Sequence, residues 1–278
     1  MAADLHVHTT ASDGTGTPAQ VVAMAKGLGL DALAITDHDT VAGVVPALAA
    51  GRELGQVVLP GVELGTRYGG REIHMLGYLI DVNDGPLLST LEMFRHDREQ
   101  RLEKMLARLA GLGFPLTREQ VAAEVRGGAV GRPHVARALV KTGAVSSLEE
   151  AFDLYLGDGR PAYVPRLKYT PEAAIGLIRH AGGVAVLAHP GLSRCDELIP
   201  GLVRAGLQGL EVYHPEHDAA ATERYRMLCR RCRLVGTGGS DFHGLDHRKH
   251  GRLAAATAPG EVVRELKELA GGKSRRTS

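Results

Sequence analysis

Side chains able to bind metal recur just past, or near the end of, one short apolar run after another along this chain. The runs at 4–8, 32–36, 57–59, 72–80, 183–188, 209–213 and 234–236 read as strands. His8 closes the first, Asp37-His38 follows the second and Glu63 the third, while His74 lies on the fourth. His189, His214 and the Asp241/His243 pair follow the remaining three. Helical patterns separate most of the runs, which argues for a parallel α/β arrangement. An open doubly wound sheet would spread the strand ends along an edge. A barrel of parallel strands gathers them on one face, where active sites are built. The expected fold is therefore an α/β, TIM-like barrel with fewer than the usual eight units.

The chain opens on Asp4-Leu5-His6-Val7-His8. Histidines at i and i+2 of a strand share a face and can hold one ion, with Asp13 close enough in sequence to serve a neighbouring one. The candidate ligand set is His6, His8, Asp13, His38, Glu63, His74, His189, Asp241 and His243. Imidazole and carboxylate without cysteine suit Zn, Mn or Fe and disfavour a structural thiolate site. So many ligands exceed one tetrahedral ion; roughly two or three ions with bridging carboxylates account for them, Glu63 and Asp241 being the natural bridges. Such a cluster makes hydroxide available near neutral pH and neutralises phosphate-ester oxygens, so phosphoester hydrolysis is the class it fits best. Amidohydrolase chemistry is the nearest competitor, but no lysine stands among the strand-end residues.

Between the strands, Thr17-Pro18 gives an N-cap and a proline at the first helical position. Val21, Val22, Ala25 and Leu28 form that helix's buried stripe, which Gly29 ends. A helix around Pro46–Leu54 follows. After Asp84-Gly85-Pro86 the rhythm changes. A charged helix over 87–111, with Leu87, Leu91, Phe94, Met105 and Leu109 on its apolar face, precedes helical segments at 117–126, 132–142 and 147–156. No strand is expected again before Val184. Residues 1–85 and 170–270 thus read as the two parts of the barrel, 86–169 as a helical insertion capping its active-site face, and 271–278 as a disordered tail.

With 278 residues, 44% of them hydrophobic, the chain can bury one large α/β core. A net charge of +1 gives no global attraction to membrane or duplex nucleic acid. No apolar stretch reaches the length of a membrane span. The first motif lies almost at the initiator Met, with no charged and apolar leader pattern before it, so no leader is expected. Three cysteines make no disulfide framework, so a cytoplasmic protein with reduced thiols is expected.

His6-Val7-His8, Thr36-Asp37-His38, Gly61-Val62-Glu63 and Gly239-Ser240-Asp241-Phe242-His243 resemble the ordered motifs of the PHP (polymerase and histidinol phosphatase) superfamily, and Leu187-Ala188-His189-Pro190 matches as well. The resemblance covers essentially the whole chain. It implies a distorted (β/α)7 barrel with three divalent ions. One would be held by His6, His8, Glu63 and Asp241, a second by Glu63, His74 and His189, and a third by Asp13, His38 and His243. It implies a metal-bridging hydroxide as nucleophile, with His38, Glu63, His189, Asp241 and His243 in the catalytic set. The helical insertion with Gly131-Arg132-Pro133-His134 resembles the subgroup that acts on 3′,5′-nucleoside bisphosphates or the 5′ ends of short RNA, which implies Arg132 and His134 as phosphate contacts. The expected substrate is a small nucleotide or short oligonucleotide. Histidinol phosphate and a non-catalytic metal-binding module are the alternatives.

His214, past the sixth strand, is a candidate for phosphate contact, for protonating the leaving group or for supporting a ligand. His217 is a weaker candidate. The basic run Asp246–His250 reads as a solvated loop, Cys229-x-x-Cys232 as incidental, and His96 and His180 as helix surface.

Overall fold

The computed structural model describes residues 2–125, 130–245, 247 and 249–272. Lys273–Ser278 of the expected tail, and Asp246 and Arg248 of the basic run, lie outside the described residues. In chain order the elements are β1 (Ala2–Asp4), α1 (Pro18–Gly27), β2 (Ala32–Ile35), α2 (Val44–Leu54), β3 (Val57–Tyr68), β4 (Arg71–Tyr78), α3 (Gly85–Gly111), α4 (Arg118–Ala122), α5 (Arg132–Lys141) and α6 (Leu148–Ala151). Then come α7 (Pro171–His180), β5 (Val184–Leu187), α8 (Pro190–Ser193), α9 (Ile199–Ala205), β6 (Gly209–Tyr213), α10 (Ala219–Cys232), β7 (Val235–Gly238), β8 (Ala258–Pro259) and α11 (Val262–Gly271). The chain divides into two compact units, Met1–Ser89 with Lys168–Ser278, and Thr90–Leu167.

In the first unit the strands form one sheet in the order β7-β6-β5-β4-β3-β2-β1-β8. Its far ends meet: Leu5 N–H donates to the Gly238 carbonyl at 3.0 Å, and Val7 bridges Phe242. The result is a nearly closed α/β barrel. Two strands depart from the parallel expectation. β4 is antiparallel to both β3 and β5, and β8 is antiparallel to β1. The first departure has a local cause. Tyr68 pairs with Arg71, and Gly69 and Gly70 between them take φ of 57° and 87°, a two-residue hairpin turn open to glycine. An antiparallel neighbour is what so short a connection permits.

β1 stops at Asp4, short of the expected 4–8. The Thr36 hydroxyl takes the Val7 amide at 3.0 Å while the Thr36 amide reaches the Val7 carbonyl, so a side chain interrupts the ladder. Side chains still alternate in β2: Ala32 and Ala34 join a core with β5 and α11, whereas Leu33 and Ile35 pack with Val21, Val22 and Ala25 of α1 and Val44 and Ala47 of α2. Thr17 caps α1 as its sequence suggests. Leu28 is a correction: it lies past the helix end and is 57% exposed.

The second unit is helical. Leu102, Met105, Leu106 and Leu109 of α3 pack with Val121, Val135, Leu139, Leu156, Ala162 and Val164. A π-helical turn, Phe152–Leu156, continues directly from α6. No helix among the described residues is long and apolar enough to cross a membrane.

Where β7 ends, Gly239 donates its N–H to the Tyr213 carbonyl at 3.0 Å and lies flat against His6; a Cβ there would collide with the His6 backbone nitrogen and Cβ. Two backbone segments bearing ligands are thus held in contact. Gly239→Ala should lower stability by about 2–4 kcal/mol, as overpacking against main chain does. Urea denaturation measures it, and an unchanged midpoint would show that the two segments can separate at little cost.

Candidate metal centre

Glu63 lies at the convergence of the strand ends. Its Oε2 is 3.3 Å from His6 Nε2, 3.2 Å from His8 Nε2 and 2.9 Å from His38 Nδ1. Its Oε1 is 2.8 Å from His74 Nδ1 and 3.2 Å from His189 Nε2. Asp241 Oδ1 lies opposite, 3.3 Å from His6 Nε2 and 3.1 Å from His8 Nε2. Asp13 Oδ1 is 3.6 Å from His243 Nε2 and 3.9 Å from His8 Nδ1. All the sequence-derived ligand candidates therefore meet in one place. Among the described residues four sets have ligand atoms within 4.8 Å of one another: His6, His8, Glu63 and Asp241; His38, Glu63 and His74; His8, Asp13, His38 and His243; and His214, Asp241 and His250.

These atoms fit divalent metal ions. His6 Nε2, both ring nitrogens of His8, His38 Nδ1, His74 Nδ1 and Glu63 Oε2 are buried without a hydrogen bond, although their neighbours are close. Buried polar atoms are normally satisfied. Lone pairs that face one another off the hydrogen-bond direction are satisfied by a cation between them, and hard oxygen with borderline nitrogen donors suits a divalent one.

The charges agree. Burial alone would raise Glu63, but the charges of His38, His74 and His6 hold it well below the usual carboxylate range. Burial is likewise overcome at Asp241 by His6 and His243. Burial would depress His6, yet Glu211, Asp241 and Glu63 carry it well above its ordinary value. The same competition, against Asp241 and Glu63, brings His8 up to about 10, and against Glu63 and Glu72 brings His74 to about 9. Burial and then the charge of His8 push His243 down to about 3.

A second layer fixes the rings. His6 Nδ1–H donates to Glu211 Oε1 at 3.0 Å, leaving Nε2 to face the two bridging carboxylates. The other Glu211 oxygen, Oε2, accepts the His189 amide at 2.7 Å. His189 has φ of 24° and Asp241 of 52°, left-handed values rare for such residues, so both turns need outside support. Glu211 supplies it at His189. Near Asp241, buried Asp4 accepts from Ser240 N at 2.9 Å and Ser240 Oγ at 2.6 Å. Asp37 accepts from Thr9 N, Thr9 Oγ1 and Ser12 Oγ at 2.6–2.8 Å, anchoring the loop that carries Asp13.

His214 plays a different part. Its Nδ1 accepts the Glu216 amide at 3.2 Å, which places the proton of the neutral ring on Nε2, a buried atom 3.6 Å from Asp241 Oδ2. It is grouped with Asp241 and His250 by distance, but its tautomer makes it a donor and not a ligand.

Glu211 and His250 escaped the sequence reading. Glu211 could have been noticed as a lone acid inside the apolar strand Gly209–Tyr213. His250 sits in the run expected to be a solvated loop; instead it is buried, with Nδ1 2.8 Å from Asp241 Oδ2 and Nε2 3.1 Å from Glu216 Oε1. His217 clamps backbone, accepting from Gly191 N and donating to Val212 O. Cys229 and Cys232 are free thiols. Arg132 and His134 belong to the helical unit, where His134 Nδ1 accepts the Gly131 amide at 2.9 Å and caps α5.

Comparison with known proteins follows the same lines. Residues 4–117 match the PHP domain. The chain is 37% identical over 247 residues to a 5′-3′ exoribonuclease, Rnm, of Escherichia coli strain K12, spanning 86% of this chain and 84% of that one. It is 35% identical over 254 residues to a 3′,5′-nucleoside bisphosphate phosphatase of Chromobacterium violaceum, with 86% of each covered. A crystal structure from Bifidobacterium adolescentis, provisionally described as a metal-dependent phosphoesterase, superposes with a TM-score of 0.89 at 34% identity over 96% of both chains.

Two outcomes are expected. His6, His8 and His74 hold protons at neutral pH without metal and must lose them to ligate. Loading the chelated protein at pH 7.5 should release more than one proton, and apparent affinity should rise with pH up to about 9–10, where His74 and His8 titrate. Calorimetry in buffers of different ionisation enthalpy reads the release; none would contradict the charge states. Glu211→Ala should weaken metal binding about 10–100-fold. Glu211→Gln should restore part of it, since an amide oxygen can still accept from His6. Competition with a chromogenic chelator measures both.

Proposed function

This chain belongs to the PHP domain family, and from that premise we propose that it hydrolyses phosphate esters of small nucleotides or of RNA ends. It is a metal-dependent phosphoesterase by kinship. The finer reading is release of one phosphate from a nucleoside 3′,5′-bisphosphate or AMP-like nucleotide, or cleavage from the 5′ end of a short oligonucleotide. The observation that carries it is the buried set of unpaired imidazole and carboxylate atoms facing one another around Glu63 and Asp241.

His6, His8, Glu63 and Asp241 would hold one divalent ion, Glu63, His74 and His189 a second, and Asp13, His38 and His243 a third. Bound there, such ions acidify water and neutralise phosphoryl oxygens. His38, Glu63, His189, Asp241 and His243 are the residues that set the position of the reacting group. His214 contributes a proton. Its Nε2–H is held toward the centre by the Glu216 amide on the opposite side of the ring. It donates to a phosphoryl oxygen or to the departing alkoxide. Buried His250 keeps Asp241 Oδ2 oriented, which leaves Oδ1 for His6 and His8. Arg132 offers a guanidinium fork suited to phosphate. The Gly131 amide fixes the His134 proton on Nε2, which makes that ring a donor as well.

The reading is tested by phosphate release from adenosine 3′,5′-bisphosphate, AMP, histidinol phosphate and p-nitrophenyl phosphate with Mn²⁺ or Zn²⁺. The bisphosphate or AMP should be turned over fastest. Turnover of histidinol phosphate alone would overturn the substrate class. Asp241→Asn should cost roughly 10²–10³-fold in kcat, as loss of a preorganised electrostatic contact does; undiminished turnover would place the chemistry elsewhere.

A further inference from the structure

Two rings converge on the oxygen of Asp241 that His6 and His8 leave alone. Asp241 Oδ1 faces His6 and His8. Its Oδ2 faces His250 Nδ1 at 2.8 Å and His214 Nε2 at 3.6 Å. Both of these rings are held by one further residue, Glu216, in the connection between β6 and α10. The Glu216 amide donates to His214 Nδ1 at 3.2 Å, and Glu216 Oε1 lies 3.1 Å from His250 Nε2. Its other oxygen, Oε2, accepts from Lys249 Nζ at 2.8 Å.

His250 is thus gripped at both ring nitrogens by carboxylate oxygens. A carboxylate only accepts, so each nitrogen donates, and the ring cannot rotate without giving up a charge-assisted bond. Glu216 is ionised: burial would raise it, but hydrogen bonds from Lys249 and His250 hold it below its ordinary value. Residue 250 supports the same segment through its backbone, where its carbonyl accepts the His243 amide at 2.9 Å. The segment needs that support, because Asp241 sits in the left-handed region at φ 52°. The Lys249 pair adds little, since its ammonium end is 59% exposed. Among the described residues Glu216 pairs with no ligand candidate, so its side chain reaches the centre by way of His250.

We infer that Glu216 is a positioning residue for the metal centre: its carboxylate fixes the His250 ring, and through that ring the orientation of Asp241. The inference rests on the proposed reading of the centre as a metal site and on no choice of substrate.

The test is Zn²⁺ affinity of the full-length protein, read by competition with a chromogenic chelator in wild type, Glu216→Ala and Glu216→Gln. The Glu216 side chain is 29% exposed, so truncating it opens no buried cavity. Glu216→Ala should bind Zn²⁺ about 10-fold more weakly, the low end of what support behind a ligand carries. Glu216→Gln, whose amide oxygen still accepts from His250 Nε2, should recover most of that loss. In a His250→Ala background, Glu216→Ala should add less than about 2-fold, because its route to the centre is already gone. Affinity unchanged by Glu216→Ala overturns the proposal. So does an equal loss with and without His250, which would mark a general loosening of the fold. Glu216→Asp keeps the charge but withdraws the oxygen by one methylene; it serves if the alanine variant does not fold by circular dichroism, and should weaken binding in the same direction. Zn²⁺ binding by wild type without nucleotide turnover would defeat the proposed function and leave this result standing. Wild type that binds no Zn²⁺ would overturn both.

Discussion

One buried carboxylate holds the first unit in its arrangement. Glu63 meets five imidazoles, from His6, His8, His38, His74 and His189, at 2.8–3.3 Å. These histidines come from four separate stretches of chain, so the carboxylate ties most of the sheet together at its strand ends. A lone ionised carboxylate is costly to bury. This one is tolerable because positive charge surrounds it, as protons on the rings or as divalent cations between them. The same lone pairs cannot be satisfied by both at once, so proton occupancy and metal occupancy exchange for each other.

That exchange needs a scaffold which does not follow the charge. Glu211 accepts from the ring of His6 and the backbone of His189, joining two ligands through a side chain outside the inner set. Asp4 and Asp37 do the equivalent for backbone, one near Ser240-Asp241 and the other at Thr9–Ser12. Asp4 illustrates the cost. Burial raises it to about 6 despite hydrogen bonds from Ser240, Ala254 and His6. Its folded pKa lies above the unfolded one, so its charged form opposes folding increasingly as pH climbs from about 4 through 6.

The inner set was legible because it obeys a simple rule: a ligand type just past an apolar run, repeated in chain order. The rule survives errors in strand boundaries, so β1 ending at Asp4 left His6 and His8 in place. The hairpin joining β3 to β4 was less legible. Gly69-Gly70 signals a turn, but strand direction depends on pairings far away in sequence. Glu211 was hidden because a buried acid and an edge-strand acid look alike until the partner ring is known. His250 was hidden by neighbours: in a run of charged residues, nothing local says which one turns inward. Arg98 and Arg101 are two of many charges on a long charged helix, and only the packing of Gly131 and Val164 against them sets them apart.

The two units therefore carry positive charge of different kinds. In the barrel it is conditional. Imidazoles give up protons, cations replace them, and the balance follows pH and metal supply. In the helical unit it is fixed, because guanidinium neither titrates in the physiological range nor ligates metal. The arginine charge is thus the same throughout the physiological pH range, whereas that of the histidines is not.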